Sequence, residues 1–466
     1  MVQLTPTDFA VASAAIALGA CALYSRRNRH ALPPGGLVSI TVLGQPFIII
    51  NDPAIAAEIL DKRGNDYADR PTSEMAVLSG WDRVLSSLRY GPRLREYRKL
   101  VSQVIGSKNS MAKFHSAEEW QGNMLLKRIL SNPSAFRDVG TFCIELRIVM
   151  LRPLKAARTT ASATILHITY GYKISEEGED SFVSLVDGAM SQFTEIMRPG
   201  AFLVEALPLL KYVPSWFPGA HFKRLAKKYD TACDMMAQTP LDYVQRQMHS
   251  GQASNSFVAD LLIQPDLSLQ EREDIKWSAA SLYGAGSDTT VSVVTAYFLA
   301  AAKFPHIQAK AQEEMDRVVG LAAPHRAMKD DVYEGYFIPK DSVVIPNVWK
   351  FLHDPATYRD PLTFNPERFL GPDPERHPAE VGLFGYGRRI CPGIRLADVS
   401  VWINIAKLVA GLTITKAKDE HGVPIEPEVG TTDGIICRPA PFTCNVEARS
   451  ASVLGMVDEA LASDPA

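Results

Sequence analysis

Residues 384–393 (FGYGRRICPG) place Cys391 behind two arginines in a glycine-rich stretch. Val401, Ile405, Leu408 and Leu412 then recur at helical spacing, which predicts a helix beginning just past Pro392. A cysteine there can serve as a thiolate ligand. Backbone N–H groups and a helix N-terminus stabilise its charge, and Gly385, Gly387 and Gly393 let the backbone approach the sulfur. Arg389 can pair with a carboxylate on the same face of a cofactor. Taken alone, a single cysteine in such a place reads first as a buried structural residue after a glycine turn. A second constellation, residues 284–290 (GAGSDTT), lies inside a helical pattern from about 274 to 303. Gly284 and Gly286 weaken the hydrogen-bond ladder, and Thr289 can turn its hydroxyl onto a carbonyl one turn earlier. That combination predicts a kink or π-like bulge. Asp288 and Thr289 make an acid–alcohol pair suited to relaying protons onto dioxygen. The plainer alternative is a helix with a polar patch packed against its neighbours.

These residues need a frame to position them. The chain has 466 residues, is 46% hydrophobic and 22% charged, and carries a net charge of −3, which is globular and gives no reason to expect nucleic acid. Its six cysteines show neither C-x-x-C nor zinc-like spacing and read as reduced thiols. No paired-histidine metal motif, P-loop or nucleophile elbow occurs. Residues 9–24 (FAVASAAIALGACALY) are uncharged and are followed at once by Arg26, Arg27 and Arg29. They predict an N-terminal membrane anchor with its basic flank over 1–30, the bulk of the chain lying on the cytosolic side. A stiff Pro/Gly connector over 31–37 leads into a domain over 38–448, and residues 449–466 read as a polar tail that frays. Two strands flank a turn at Gly44, Gln45 and Pro46, and a helix runs from Pro53 to about Arg63. Long helices are predicted around 93–106, 116–130, 180–198, 219–248 and 271–303, with strands again at 343–348, 434–437 and 442–446. The fold class is mainly α with small β-sheets (α+β).

The string Phe-x-x-Gly-x-Arg-x-Cys-x-Gly, spelled by Phe384, Gly387, Arg389, Cys391 and Gly393, resembles the haem-ligand loop of the cytochrome P-450 monooxygenases. Residues 285–290 resemble that family's oxygen-activation motif at every position, and the likeness extends from about residue 37 to 446. It implies the cytochrome P-450-like fold and haem b (iron-protoporphyrin IX). Cys391 becomes the axial iron ligand within a cofactor loop that includes Phe384, Arg389 and Gly393. Asp288 and Thr289 become the catalytic pair that delivers protons to O2. Residues 95–98 (REYR) look like the family's Trp-Arg-x-x-Arg helix, with Leu94 in place of the tryptophan, so Arg98 maps to a haem carboxylate. His325 falls where a basic residue for the other carboxylate is usual. The implied function is insertion of one oxygen atom into an apolar small molecule, a secondary metabolite such as a terpenoid or polyketide. Tyr283, Ala285 and Ile435 would form pocket walls, and residues 199–219 an entrance that dips into the membrane. Electrons would come from an NADPH-dependent reductase, at the endoplasmic reticulum.

One departure stands out. Residues 305–320 resemble the helix before the family's Glu-x-x-Arg helix, yet only three residues then precede Pro324. The Glu-x-x-Arg helix is therefore expected to be absent, leaving Arg368 of the Pro-Glu-Arg-Phe segment without its carboxylate, unless Glu314 and Arg317 replace the pair. An uncompensated buried charge costs roughly 3–5 kcal/mol, so poor folding and incomplete haem capture follow as expectations. Two rival readings stay open. One is a haem-thiolate rearrangement enzyme that needs no oxygen, against which Asp288 and Thr289 count. The other is a truncated, catalytically dead member, which the missing helix favours.

Overall fold

Apolar residues with strand propensity make β1 (Leu37–Val42) and β2 (Gln45–Ile50), antiparallel with Leu37 opposite Ile50. Gly44 turns the chain between them at φ 83°. The computed structural model describes residues 35–42, 44–130, 146–175, 179–304, 323–432 and 438–462. Four more short strands come late: β3 (His325–Arg326), β4 (Asp331–Tyr333), β5 (Tyr336–Ile338) and β6 (Val343–Pro346). β6 pairs in parallel with β2 and antiparallel with β3, so one sheet has the order β1-β2-β6-β3, while β4 and β5 form a hairpin of their own.

Between β2 and β3 the described chain is mainly helical. α1 (Pro53–Ala56) starts on Asp52, whose carboxylate accepts from the Ala54 N–H at 2.7 Å. It continues directly into a π-helical turn, Ala57–Lys62, where a plain helix is expected from the sequence. There follow α2 (Glu74–Leu78), α3 (Pro92–Ile105), α4 (His115–Leu130) and α5 (Leu146–Tyr170). Next come α6 (Ser181–Ile196), α7 (Leu203–Ala206), α8 (His221–His249) and α9 (Leu269–Lys303). A capping box starts α9: Ser268 Oγ accepts from the Glu271 N–H at 3.2 Å, and Glu271 Oε2 accepts from the Ser268 N–H at 2.8 Å. After β6 the chain forms α10 (Ile394–Gly411), the antiparallel pair β7 (Leu412–Lys416) and β8 (Cys444–Ala448), and α11 (Val453–Ala462).

α9 is the axis of the molecule. Trp277 and Tyr283 are fully buried along it in a core shared with α3, α6 and α8, and Tyr297 and Phe298 in a second one shared with α4, α5 and α10. The expected bulge is not there: α9 keeps α-helical bonding throughout. Its glycines serve close packing instead. A Cβ on Gly284 would meet Met190 Sδ at 2.9 Å, and one on Gly286 would meet Ile165 at 2.9 Å, so α6 and α5 press directly on the helix backbone.

Two further expectations are corrected. The tail beyond Glu447 does not fray over its described part, because Val453 and Val457 of α11 are buried in the core beside α4 and Lys127 pairs with Asp458 at 2.9 Å. Arg368 does have a carboxylate partner, supplied from its own neighbourhood. Its side chain is 2% exposed, and Nη1 donates to Glu375 Oε2 at 2.8 Å. The carbonyls of Arg359, Asp360, Thr363 and Asn365 take its other N–H groups. The buried charge is therefore compensated. The helix read at 305–320, with Glu314 and Arg317, lies outside the described residues, as do the anchor at 9–24 and the strand at 434–437.

Candidate active site

The ligand loop is a sequence of tight turns. Gly385 and Gly387 hold φ of 79° and 50°, residues Gly387–Arg389 form a 3-10 turn, and the Cys391 N–H donates to the Phe384 carbonyl at 2.8 Å. A Cβ on Gly387 would lie 2.2 Å from the Leu60 carbonyl oxygen. That carbonyl belongs to the π-helical turn, and Asp61 of the same turn accepts from the Gly387 N–H. The early turn is thus pressed against the late loop, and only glycine fits between them. Burial pushes the Cys391 thiol up from its ordinary pKa, while the Gly393 N–H and the Arg98 charge pull it down toward thiolate. α10 begins immediately after Gly393, as the apolar spacing predicts.

Four basic side chains converge beside this loop. Arg98 on α3 donates to the Ile390 carbonyl at 2.8 Å. Arg389 donates to the carbonyls of Ala68 at 2.5 Å and Leu88 at 2.6 Å, and burial lowers its pKa to about 10. Arg70 donates to Ala323 at 2.7 Å and Pro324 at 2.6 Å, and burial followed by the nearby Arg389 lowers its pKa to about 9. His325 is buried on β3. Its Nδ1 donates to the Tyr67 carbonyl at 2.9 Å, and burial with the Arg70 charge pushes its pKa down to about 3, so the ring is neutral. Asp69, the acid nearby, is taken by Arg89, whose Nε lies at 2.7 Å. The buried Nε of Arg70 has no partner among the described residues. Mutually repelling cations held by carbonyls, with one donor orphaned, fit the carboxylates of a haem.

The sulfur and the cations open onto one cavity of about 2700 Å³, which also reaches α9. Ala285 and Thr289, one turn apart, are exposed to it in the middle of an otherwise buried helix. Thr289 Oγ1 donates to the Ala285 carbonyl at 2.9 Å, the bond expected from the sequence. Asp288 is turned away and paired with Arg438. Phe384 and Gly393 border the cavity. Tyr283 does not: it is buried, and its hydroxyl donates to the Phe182 carbonyl, so the wall role expected for it falls away. Ile435 lies outside the described residues. Sequence reading missed Arg70, Asp61 and Arg438. Arg70 and Arg438 are single residues in irregular chain and Asp61 sits on the π-helical turn, and the partner lies far away along the sequence, at Ala323 for Arg70, at Gly387 for Asp61 and at Asp288 for Arg438.

A cysteine loop, a cation cluster and a threonine-bearing helix around one large cavity define the haem-thiolate class. The chain belongs to the cytochrome P450 family, whose model matches residues 23–324 and 318–446. The two matched segments overlap at residues 318–324. The chain is 41% identical over 455 residues to cytochrome P450 monooxygenase 208 of Postia placenta, covering 90% of this chain and 84% of that protein. It is 37% identical to cytochrome P450 monooxygenase claR of Ampulloclitocybe clavipes, covering 90% and 81%. It is 33% identical to the O-methylsterigmatocystin oxidoreductase of Aspergillus flavus, covering 91% and 82%. A zebra fish cytochrome P450 solved with abiraterone shares the fold at a TM-score of 0.67 and 17% identity, covering 92% of this chain and 99% of that one. The protein is accordingly a monooxygenase-type oxidoreductase of a family that uses haem and O2.

Proposed function

We propose that this protein inserts one oxygen atom of O2 into a large apolar small molecule, a secondary metabolite of terpenoid or polyketide type. The observation that carries this reading is the single cavity shared by Cys391 and Thr289, with hydrocarbon walls that include Trp81, Ile165, Phe193 and Leu282. Ligand pockets run to about 1,000 Å³, so the space suits a cofactor and a sizeable substrate together. A relative named for O-methylsterigmatocystin supports the substrate class.

Haem b would fit with its iron on Cys391 and its carboxylates among Arg70, Arg98 and Arg389, with His325 joining them once its Nε2 takes up a proton. When bound, it supplies the redox chemistry of oxygen activation. The chain supplies the rest. Gly393 and Arg98 favour the thiolate form of Cys391. The Thr289 hydroxyl, anchored on the Ala285 carbonyl, keeps its oxygen lone pairs free to accept and hold a proton at the cavity edge, and Asp288, turned away onto Arg438, would feed it through a relay rather than directly. Apolar walls exclude water from the oxidised carbon.

Electrons come from a separate NADPH-dependent reductase, and the enzyme works at the endoplasmic reticulum membrane. Among the described residues no helix is long and apolar enough to cross a membrane. The membrane reading rests on residues 9–24 and on an apolar rim at the cavity mouth. Leu209, 79% exposed, follows cavity-lining Leu203, Leu207 and Pro208 directly in the chain, and Trp216, 77% exposed, lies seven residues further on. Replacement of the ligand tests the core of the reading. Cys391→Ser should abolish the red-shifted Soret band of the reduced, carbon-monoxide-treated protein, while Cys233→Ser and Cys444→Ser keep it. An unchanged band in Cys391→Ser would overturn the assignment.

A further inference from the structure

Arg89, Arg93 and Glu205 border the cavity with their charges already matched. Arg89 is taken by Asp69, Arg93 pairs with Asp274 at 3.3 Å, and Glu205 accepts from Ser73 Oγ at 2.8 Å and from the Met75 N–H at 2.9 Å. Asp82 is different. It borders the same cavity, and among the described residues only its own backbone N–H reaches the carboxylate. The cation next to it in the chain is committed elsewhere, since Arg83 pairs with Asp230 and Asp234 of α8, each at 2.8 Å. Although the Asp82 side chain is exposed, the protein around it desolvates the carboxylate and raises its pKa, against which the Arg83 charge acts first. Trp81, the residue before, offers the complement. Its ring is buried against Phe193, centroids 4.7 Å apart, and its Nε1 has no partner among the described residues. The segment is firmly held. Gly80 turns it at φ 72°, where a Cβ would strike Arg83, and Arg83 donates from Nε to the Gly80 carbonyl at 2.8 Å while stacking over Trp277 at 4.2 Å. An acceptor without a donor and a donor without an acceptor thus stand side by side on one fixed stretch of wall.

We propose that Trp81 and Asp82 select a substrate that carries a hydroxyl group, an alcohol or phenol on its hydrocarbon frame. This rests on the reading of the cavity as the substrate site. A hydroxyl donates its O–H to the Asp82 carboxylate and accepts the Trp81 N–H on the same oxygen. A protonated amine satisfies only the acid, and an ether or ketone satisfies only the indole. The hydroxyl anchors one part of the substrate at Trp81 and Asp82 and leaves the rest of the frame to the apolar walls. The reaction that supplies this substrate must then leave an alcohol on it, as an earlier hydroxylation or a carbonyl reduction does.

The test uses the full-chain holoenzyme and three probes of one chain length. They are 1-dodecanol, 1-methoxydodecane, which accepts but cannot donate, and dodecyltrimethylammonium, a cation that does neither. Binding is read from the shift of the haem absorption band on titration. Wild type should bind the alcohol roughly tenfold or more tighter than the ether, through the hydrogen bond to a charged acceptor. Asp82→Leu should remove that preference and leave the ether unchanged, while Asp82→Asn, whose amide oxygen still accepts, should keep most of it. Trp81→Phe keeps the ring against Phe193 and should weaken alcohol and ether alike, severalfold. Equal affinity for alcohol and ether in wild type, a preference that survives Asp82→Leu, or alcohol binding unchanged in Trp81→Phe would each overturn the proposal. So would an ammonium probe that binds tighter than the alcohol and is lost in Asp82→Asn, because Asp82 would then serve a cation. Absence of a Cys391-dependent red-shifted Soret band would instead sink the reading on which the proposal rests, whatever Asp82 does.

Discussion

At the scale of single residues, the site divides by how its members are held. Cys391 and Thr289 are held by bonds to carbonyls within their own segments, Phe384 and Ala285. Such residues are legible in a sequence, because type and spacing carry the geometry. Arg70, Asp61 and Arg438 are held by partners brought near only by the fold, so nothing adjacent announces them. The Thr289 bond also makes a prediction. Thr289→Ala should bind haem normally yet divert NADPH into hydrogen peroxide, since no hydroxyl then holds a proton at the cavity edge. Thr289→Ser should largely retain coupling. Tightly coupled turnover in Thr289→Ala would return the residue to a packing role.

At the scale of elements, the long helices were readable because an apolar face repeats along 92–105, 115–130 and 269–303. α5 escaped because its burial is nearly all round, with Ala161, Ala163, Ile165 and Leu166 leaving no periodic stripe. The bulge in α9 was misjudged because the glycines admit neighbouring helices, a fact of packing with no local mark. The seam of α4 and α10 holds a buried acid. Glu118 accepts from Ser400 Oγ at 2.7 Å, its other oxygen has no partner among the described residues, and burial raises its pKa to about 7. The folded state therefore holds this proton more tightly than the unfolded chain, whose carboxyl releases it near 4.5. The stability contribution is full below pH 4.5 and is lost as pH rises through 7. Glu118→Gln should abolish that slope and stabilise the protein above pH 7 by roughly 3 kcal/mol. Denaturant unfolding across this window measures it, and parallel curves for mutant and wild type would refute it.

For the whole molecule, the cavity, the sulfur and the exposed apolar rim share one orientation problem: an apolar substrate has to reach a buried site without crossing water. Docking of the rim into lipid solves it, and Trp216 reports on it. In full-chain protein on bilayers, Trp216 emission should be quenched by brominated acyl chains, and Trp216→Phe should remove the quenched fraction. Emission indifferent to the bromines would place the rim in water. Another whole-molecule consequence comes from the clamp around Arg368. Glu375 and the four carbonyls it binds all lie within residues 359–375, and the ionic partners are seven positions apart. Closing so short a loop costs little chain entropy, whereas a partner drawn from a distant helix would have to wait for a long one. This part of the chain can gather early in folding, on local terms, before the late β-strands find β2. The ligand loop then matures beside an anchor built from its own surroundings. The way the sulfur is presented therefore does not wait on a carboxylate brought to Arg368 from a distant helix.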